Sequence, residues 1–128
     1  MRLLLDTHVL IWSMDNERRL GPRVHALLTD PANIVLISIA SLWEIAIKIR
    51  IGKLRGDLAA IDDAINAQGF TRLPIALPHL EAMAALPDYH RDPFDHLLIA
   101  QAQVEGLTFV TADRHATRYK VETIACSA

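Results

Sequence analysis

The sequence contains a single cysteine, Cys126, among 128 residues. One thiol builds neither a disulfide framework nor a thiolate metal cluster, and it fits a reducing, cytoplasmic setting. A dominant charge sign is also missing. With 13 basic and 15 acidic side chains, the formal net charge is −2. That balance excludes nucleic-acid binding by overall electrostatics, but not a local basic groove. The six histidines, at 8, 25, 79, 90, 96 and 115, have no HxxxH or HExxH spacing. A zinc enzyme is therefore not expected. No GxGxxG, P-loop or GxSxG motif occurs, which removes dinucleotide, NTPase and serine-hydrolase readings. Asp6 and His8 interrupt the opening MRLLLDTHVLIW. It reads as neither a signal peptide nor a membrane span, and no membrane association is expected.

What is present is a regular alternation of strand and helix signals along residues 1–128. No repeat, linker or low-complexity tract interrupts it. The pattern predicts one α/β domain. Arg2–Leu5, Ile34–Ile37, Phe70–Leu73, Leu107–Thr111 and Val121–Ile124 read as strands. Thr7 opens a first helix, Gly21-Pro22 a second, Ser38 or Ser41 a third, and Asp57 a fourth that stops at Gly69. Pro78–Leu86 reads as a fifth helix, and Asp92-Pro93 starts a sixth that runs to Gly106. The apolar share is 52%, which fits a substantial core and some surface for self-association. The helices at 20–30 and 57–68 are the expected shared apolar surface.

Four acids stand out against this pattern. Asp6 and Asp113 follow short β-prone runs, and Glu44 and Asp95 are placed in the first turns of predicted helices. In parallel α/β sheets ligands bind beyond the carboxyl ends of the strands, where loops and helix N-termini collect. Hard oxygen ligands converging from distant segments suit Mg²⁺, with Mn²⁺ as the alternative. Each acid also has an ordinary structural explanation. Asp6 and Asp113 read as helix caps, and Asp92 caps its helix with Asp95 near the positive end of the dipole. Glu44 completes a Ser41-x-x-Glu44 capping box and precedes Lys48 by four residues. If the helix starts at Ser38, Glu44 lies well inside it and capping does not explain it. His25 and His79 are expected on exposed helix faces, whereas His8 and His96 follow acids closely enough to reach a substrate phosphate. Lys48, Arg50, Lys53 and Arg55 form a basic run suited to a phosphate backbone or to a helix C-terminus.

The stretches LLLDTHVLIW at 3–12, SIASLWEIAIKIRIGKL at 38–54, HRDPFDHLLIAQA at 90–102 and LTFVTAD at 107–113 resemble those of PIN-domain nucleases. The closer resemblance is to the VapC-type toxins of bacterial toxin–antitoxin pairs. It implies a three-layer α/β/α fold with a central, mainly parallel sheet. It also implies a Mg²⁺-dependent endoribonuclease acting on RNA, a VapB-like antitoxin as partner and a homodimer. The family's acidic positions fall on Asp6, Glu44, Asp95 and Asp113, and Thr111 fits its hydroxyl-bearing position; the helix-start residues Thr7 and Asp92 are expected to support the site. Two other readings stay open on the residues alone. One is a different Mg²⁺-dependent phosphoesterase, although His8 stands where such enzymes usually carry a second acid. The other is a non-catalytic interaction module whose acids are caps.

Overall fold

The computed structural model describes residues 1–15, 17–89 and 92–128. His90 and Arg91, at the start of the third motif stretch (90–102), lie outside the described residues. Five strands form one sheet: β1 (Arg2–Leu5), β2 (Ile34–Ser38), β3 (Thr71–Leu73), β4 (Thr108–Thr111) and β5 (Thr123–Ala125). The helices are α1 (Thr7–Asp15), α2 (Pro22–Thr29), α3 (Ile39–Arg50), α4 (Leu58–Ala67), α5 (Leu77–Ala84) and α6 (Pro93–Glu105). Short 3-10 turns occupy Glu17–Arg19 and Arg114–Arg118. The strand order is β3-β2-β1-β4-β5, and every pairing is parallel. Among the described residues no helix is long and apolar enough to cross a membrane.

The sheet is covered on both faces, and the two-residue period of its strands sorts the side chains. Leu3, Leu5, Val35, Ile37, Val110 and Ile124 face one core with Val9 and Leu10 of α1, Val24 of α2, Ile45 of α3 and Ile65 of α4. Leu4, Leu36, Leu73 and Phe109 face the other, against Leu97, Leu98 and Ala102 of α6 and Met83 of α5. Both faces of β1 are apolar because both are buried, which is why Leu3-Leu4-Leu5 does not alternate. Burying each such leucine contributes roughly 1.5–3 kcal/mol. The result is the three-layer α/β/α arrangement implied by the resemblance, with all five strands parallel.

Topology also selects the functional edge. From β1 the chain builds outward to β2 and β3, then returns to β1's other side for β4 and β5. The connections at β1 and β4 therefore diverge and leave a crevice beyond their carboxyl ends. Leu5 is in register with Val110, so Asp6 and the residues after Thr111 emerge side by side.

Local chemistry fixes most helix starts. Ser38 accepts from the Ala40 amide at 3.0 Å, and Asp57 accepts from the Ala59 amide at 3.1 Å. Asp92 accepts from the Phe94 and Asp95 amides, with Pro93 at the first helical position. Gly106 ends α6 in the left-handed region at φ +66, where side-chain-bearing residues are strained.

Candidate active site

Asp6 is the most constrained of the four acids, with 3% of its surface exposed. Its Oδ1 accepts from the Val9 amide at 2.8 Å, so it does cap α1. Its Oδ2 accepts from the Thr111 hydroxyl and from the Ala112 amide, each at 2.7 Å. Capping and site placement thus coexist in one carboxylate. Burial pushes the Asp6 carboxyl above its ordinary value, and the bonds from Val9, Thr111 and Ala112 and the charge of His8 pull it partly back. Thr111 also accepts from the Asp113 amide at 2.9 Å, and Asp113 Oδ1 accepts from the His115 amide at 2.8 Å. One hydroxyl therefore joins the β1 and β4 ends.

Asp95 reaches the same crevice from the first turn of α6. It lines one open pocket of about 390 Å³ together with Asp6, Asp113, His8, Trp12 and Ala112. Its carboxyl is pushed up to about 8, first by desolvation and then by the charges of Asp92, Asp6, Asp113 and Glu44. Both causes favour the protonated form of Asp95 while no cation is near.

Glu44 stands apart from the pocket lining and inside α3, because Ser38 is the N-cap. The first-turn placement and the Ser41 capping box are both overturned. Ser41 lies within the helix and accepts instead from the Thr7 hydroxyl at 3.1 Å, which ties α1 to α3. The ion pair with Lys48 does form, at 2.8 Å to Oε2. Glu44 is 6% exposed, and its buried Oε1 has no hydrogen-bond partner among the described residues. Trp43 meets Phe94 edge-on at 5.1 Å, so α3 and α6 touch beside the two acids they carry.

His25 is exposed as expected, but His79 is 3% exposed. Its Nδ1 accepts from the Ala76 amide at 3.0 Å at the start of α5, and its Nε2 lies 3.7 Å from Glu105. The exposed-face expectation for His79 is wrong because that face of α5 packs on α6. His96 contacts the Tyr119 hydroxyl at 3.1 Å. Trp12 and the Ala112 amide belong to the pocket and were not singled out from sequence. For Trp12 the available signal is its four-residue spacing from His8. The Ala112 amide carries no side-chain signal at all.

These donors suit a small divalent cation. The set is all oxygen, burial and crowding keep a proton on Asp95, and Glu44 Oε1 is an orphaned buried acceptor. Among the described residues, no three acidic, histidine or cysteine side chains are gathered tightly enough to enclose an ion directly. Mg²⁺ does not require such a cage, since it commonly keeps several waters and takes one or two carboxylates. The residues fit that mode.

A five-stranded parallel sheet covered by helices on both faces, with acids at its switch point, defines an α/β domain of the three-layer class. More particularly, the chain belongs to the PIN domain family, whose sequence pattern it matches over residues 3–122. The fold is similar to a chain of the VapBC2 structure from Rickettsia felis bound to a DNA fragment from their promoter. The TM-score is 0.77 at 15% identity, covering 98% of both chains. It is also similar to a chain of VapBC-1 from nontypeable Haemophilus influenzae, at TM-score 0.67 and 17% identity over 100% of both chains. A third similar fold is VapC20 of Mycobacterium tuberculosis, a Sarcin-Ricin loop cleaving toxin. There the TM-score is 0.64 at 14% identity, covering 93% of this chain and 95% of that one. No curated protein sequence matches significantly.

Proposed function

We propose that this PIN domain is a Mg²⁺-dependent endoribonuclease, the toxin of a toxin–antitoxin pair, with Asp6, Glu44, Asp95 and Asp113 as its acidic site. The observation that carries this reading is the pocket shared by Asp6, Asp95 and Asp113 at the switch point of the sheet. The folds of VapBC-1 and VapC20 support the toxin assignment. A bound divalent cation supplies the positive centre and Lewis acidity that phosphodiester hydrolysis by water requires. The chain's own residues prepare for it. Val9, Thr111 and Ala112 hold the Asp6 carboxylate in one orientation. Asp95, whose protonated form burial and the neighbouring carboxylates favour, would release that proton to solvent on taking up a cation. Lys48 offsets Glu44 at the margin. Without a cation the crowded carboxylates repel a phosphodiester backbone, so substrate and metal are expected to bind cooperatively. Mn²⁺ is expected to replace Mg²⁺.

The partners that go with this reading are RNA, a VapB-like antitoxin and a second copy of the chain, in the cytoplasm. The antitoxin would cover the pocket and set a basic side chain against the carboxylates in place of metal. A separate apolar hollow of about 240 Å³, lined by Ile11, Met14, Leu54 and Ile61 among others, lies along α4. Leu58 is exposed on the same helix, which favours α4 as shared surface. The test is incubation of RNA with Mg²⁺, with EDTA, and with Mg²⁺ restored. Cleavage that stops and returns supports the reading, and cleavage indifferent to EDTA contradicts it. Co-purification with the product of the neighbouring gene should silence the activity.

A further inference from the structure

The acidic pocket has an aromatic wall that the acids do not explain. His8 and Trp12 are one helical turn apart on α1, and their rings stack at 5.6 Å between centroids and 26° between planes. Both line the pocket with Asp6, Asp95 and Asp113. Arg19, from the 3-10 turn that follows α1, sets its guanidinium 4.9 Å from the centre of the Trp12 ring. Three planar groups are thus in contact in series, starting at the acids. Trp12 is half-buried and packs against the core, so its ring is held in place. His8 is exposed. The contact between the two rings is not needed to hold α1, since side-chain pairs one turn apart on a helix contribute only tenths of a kcal/mol. Single-stranded nucleic acids, in contrast, are gripped by ring platforms beside cationic side chains, where splayed bases stack.

We propose that His8 and Trp12 form a stacking platform for a nucleobase of single-stranded RNA, next to the phosphate attacked in the acidic pocket. The inference rests on the nuclease reading for the attack, but not for the stacking itself. The platform takes the base while Arg19 faces the neighbouring backbone phosphate, and the acids stay clear for the cation. It supplies attraction that a pocket of carboxylates in a chain of net charge −2 lacks. Because every base has a ring face, the platform favours unpaired over paired RNA rather than one base over another.

The test uses a Trp43→Phe background, so that Trp12 is the one remaining tryptophan. Fluorescein-labelled single-stranded RNA 12-mers are titrated with Ca²⁺ in place of Mg²⁺, reading both anisotropy and tryptophan emission. Trp12 emission is expected to be quenched to saturation by RNA, and not by an abasic oligomer of the same length. His8→Ala, an exposed change that leaves the core intact, is expected to weaken RNA binding about tenfold, and Trp12→Leu at least as much. Trp12→Phe should restore most of the affinity. Unquenched Trp12 with wild-type affinity in His8→Ala overturns the platform, as does failure of RNA to bind at all. Cleavage of the same oligomers in Mg²⁺ separates the two ideas. A chain that cuts RNA with Trp12 unquenched keeps the nuclease and loses the platform. A chain that quenches and never cuts keeps the platform and loses the nuclease.

Discussion

The Thr111 hydroxyl donates to Asp6 Oδ2 at 2.7 Å across a sequence separation of 105 residues. Both groups are buried, and the same hydroxyl accepts from the Asp113 amide. Replacing it with the isosteric Thr111→Val leaves a buried carboxylate oxygen and a backbone amide each short of a partner. The expected cost is about 2 kcal/mol of stability by urea unfolding. Mg²⁺ affinity should fall with it, while Thr111→Ser keeps both. A Thr111→Val variant as stable as wild type would show that the bond does not hold the site.

Asp95 makes metal-free stability depend on pH. Its folded value of about 8 lies above its ordinary 3.8, so between those values the folded chain binds more protons than the unfolded one. Stability from this group is full below about pH 4 and falls as pH rises toward 8. In EDTA, the melting temperature is expected to drop over that window by several degrees more in wild type than in Asp95→Asn. Mg²⁺ should recover more of it at pH 8 than at pH 5, because metal and proton compete. Parallel melting curves for the two proteins would remove the crowding of carboxylates as the cause.

Lys48 holds a nearly buried Glu44. Lys48→Ala strands that carboxylate and is expected to cost on the order of 2 kcal/mol, less than a fully buried pair because Lys48 is partly solvated. The double change Glu44→Gln with Lys48→Met should recover most of the loss. If the losses simply add in chemical denaturation, the pair is not coupled.

A dimer through α4 places Leu58 and the adjoining apolar hollow in shared surface. Leu58→Glu is therefore expected to shift light scattering from two chains toward one while leaving the melting curve close to wild type. A wild-type chain that stays monomeric at high concentration contradicts the pairing.

The parts of this structure that depend on neighbouring residues could be read ahead. The starts of α3, α4 and α6 follow from Ser38, Asp57 and Asp92-Pro93, and three leucines before an acid mark a buried strand with its end at the sheet edge. The convergence of Asp6, Asp95 and Asp113 was legible for the same reason: parallel α/β connections bring strand ends and helix starts to one side. What depends on which helix meets which was not legible. His79 is polar and sits on a helix of mixed faces, and only the contact of α5 with α6 buries it. Glu44 has capping-box spacing from Ser41 and ion-pair spacing to Lys48, and only the choice of Ser38 as the cap of α3 decides between them, placing Glu44 inside the helix. Trp12 reads as one more apolar residue of α1 until the β1 and β4 ends place acids beside it.

The most direct measurement is RNA cleavage in Mg²⁺ by wild type beside Asp6→Asn and Asp95→Asn, with each variant's fold checked by circular dichroism. Both changes remove a charge and keep the side chain's shape. Cleavage should fall at least a hundredfold in each, with the unfolding transition still cooperative. Full cleavage by both folded variants would contradict the assignment of this pocket as the nuclease centre.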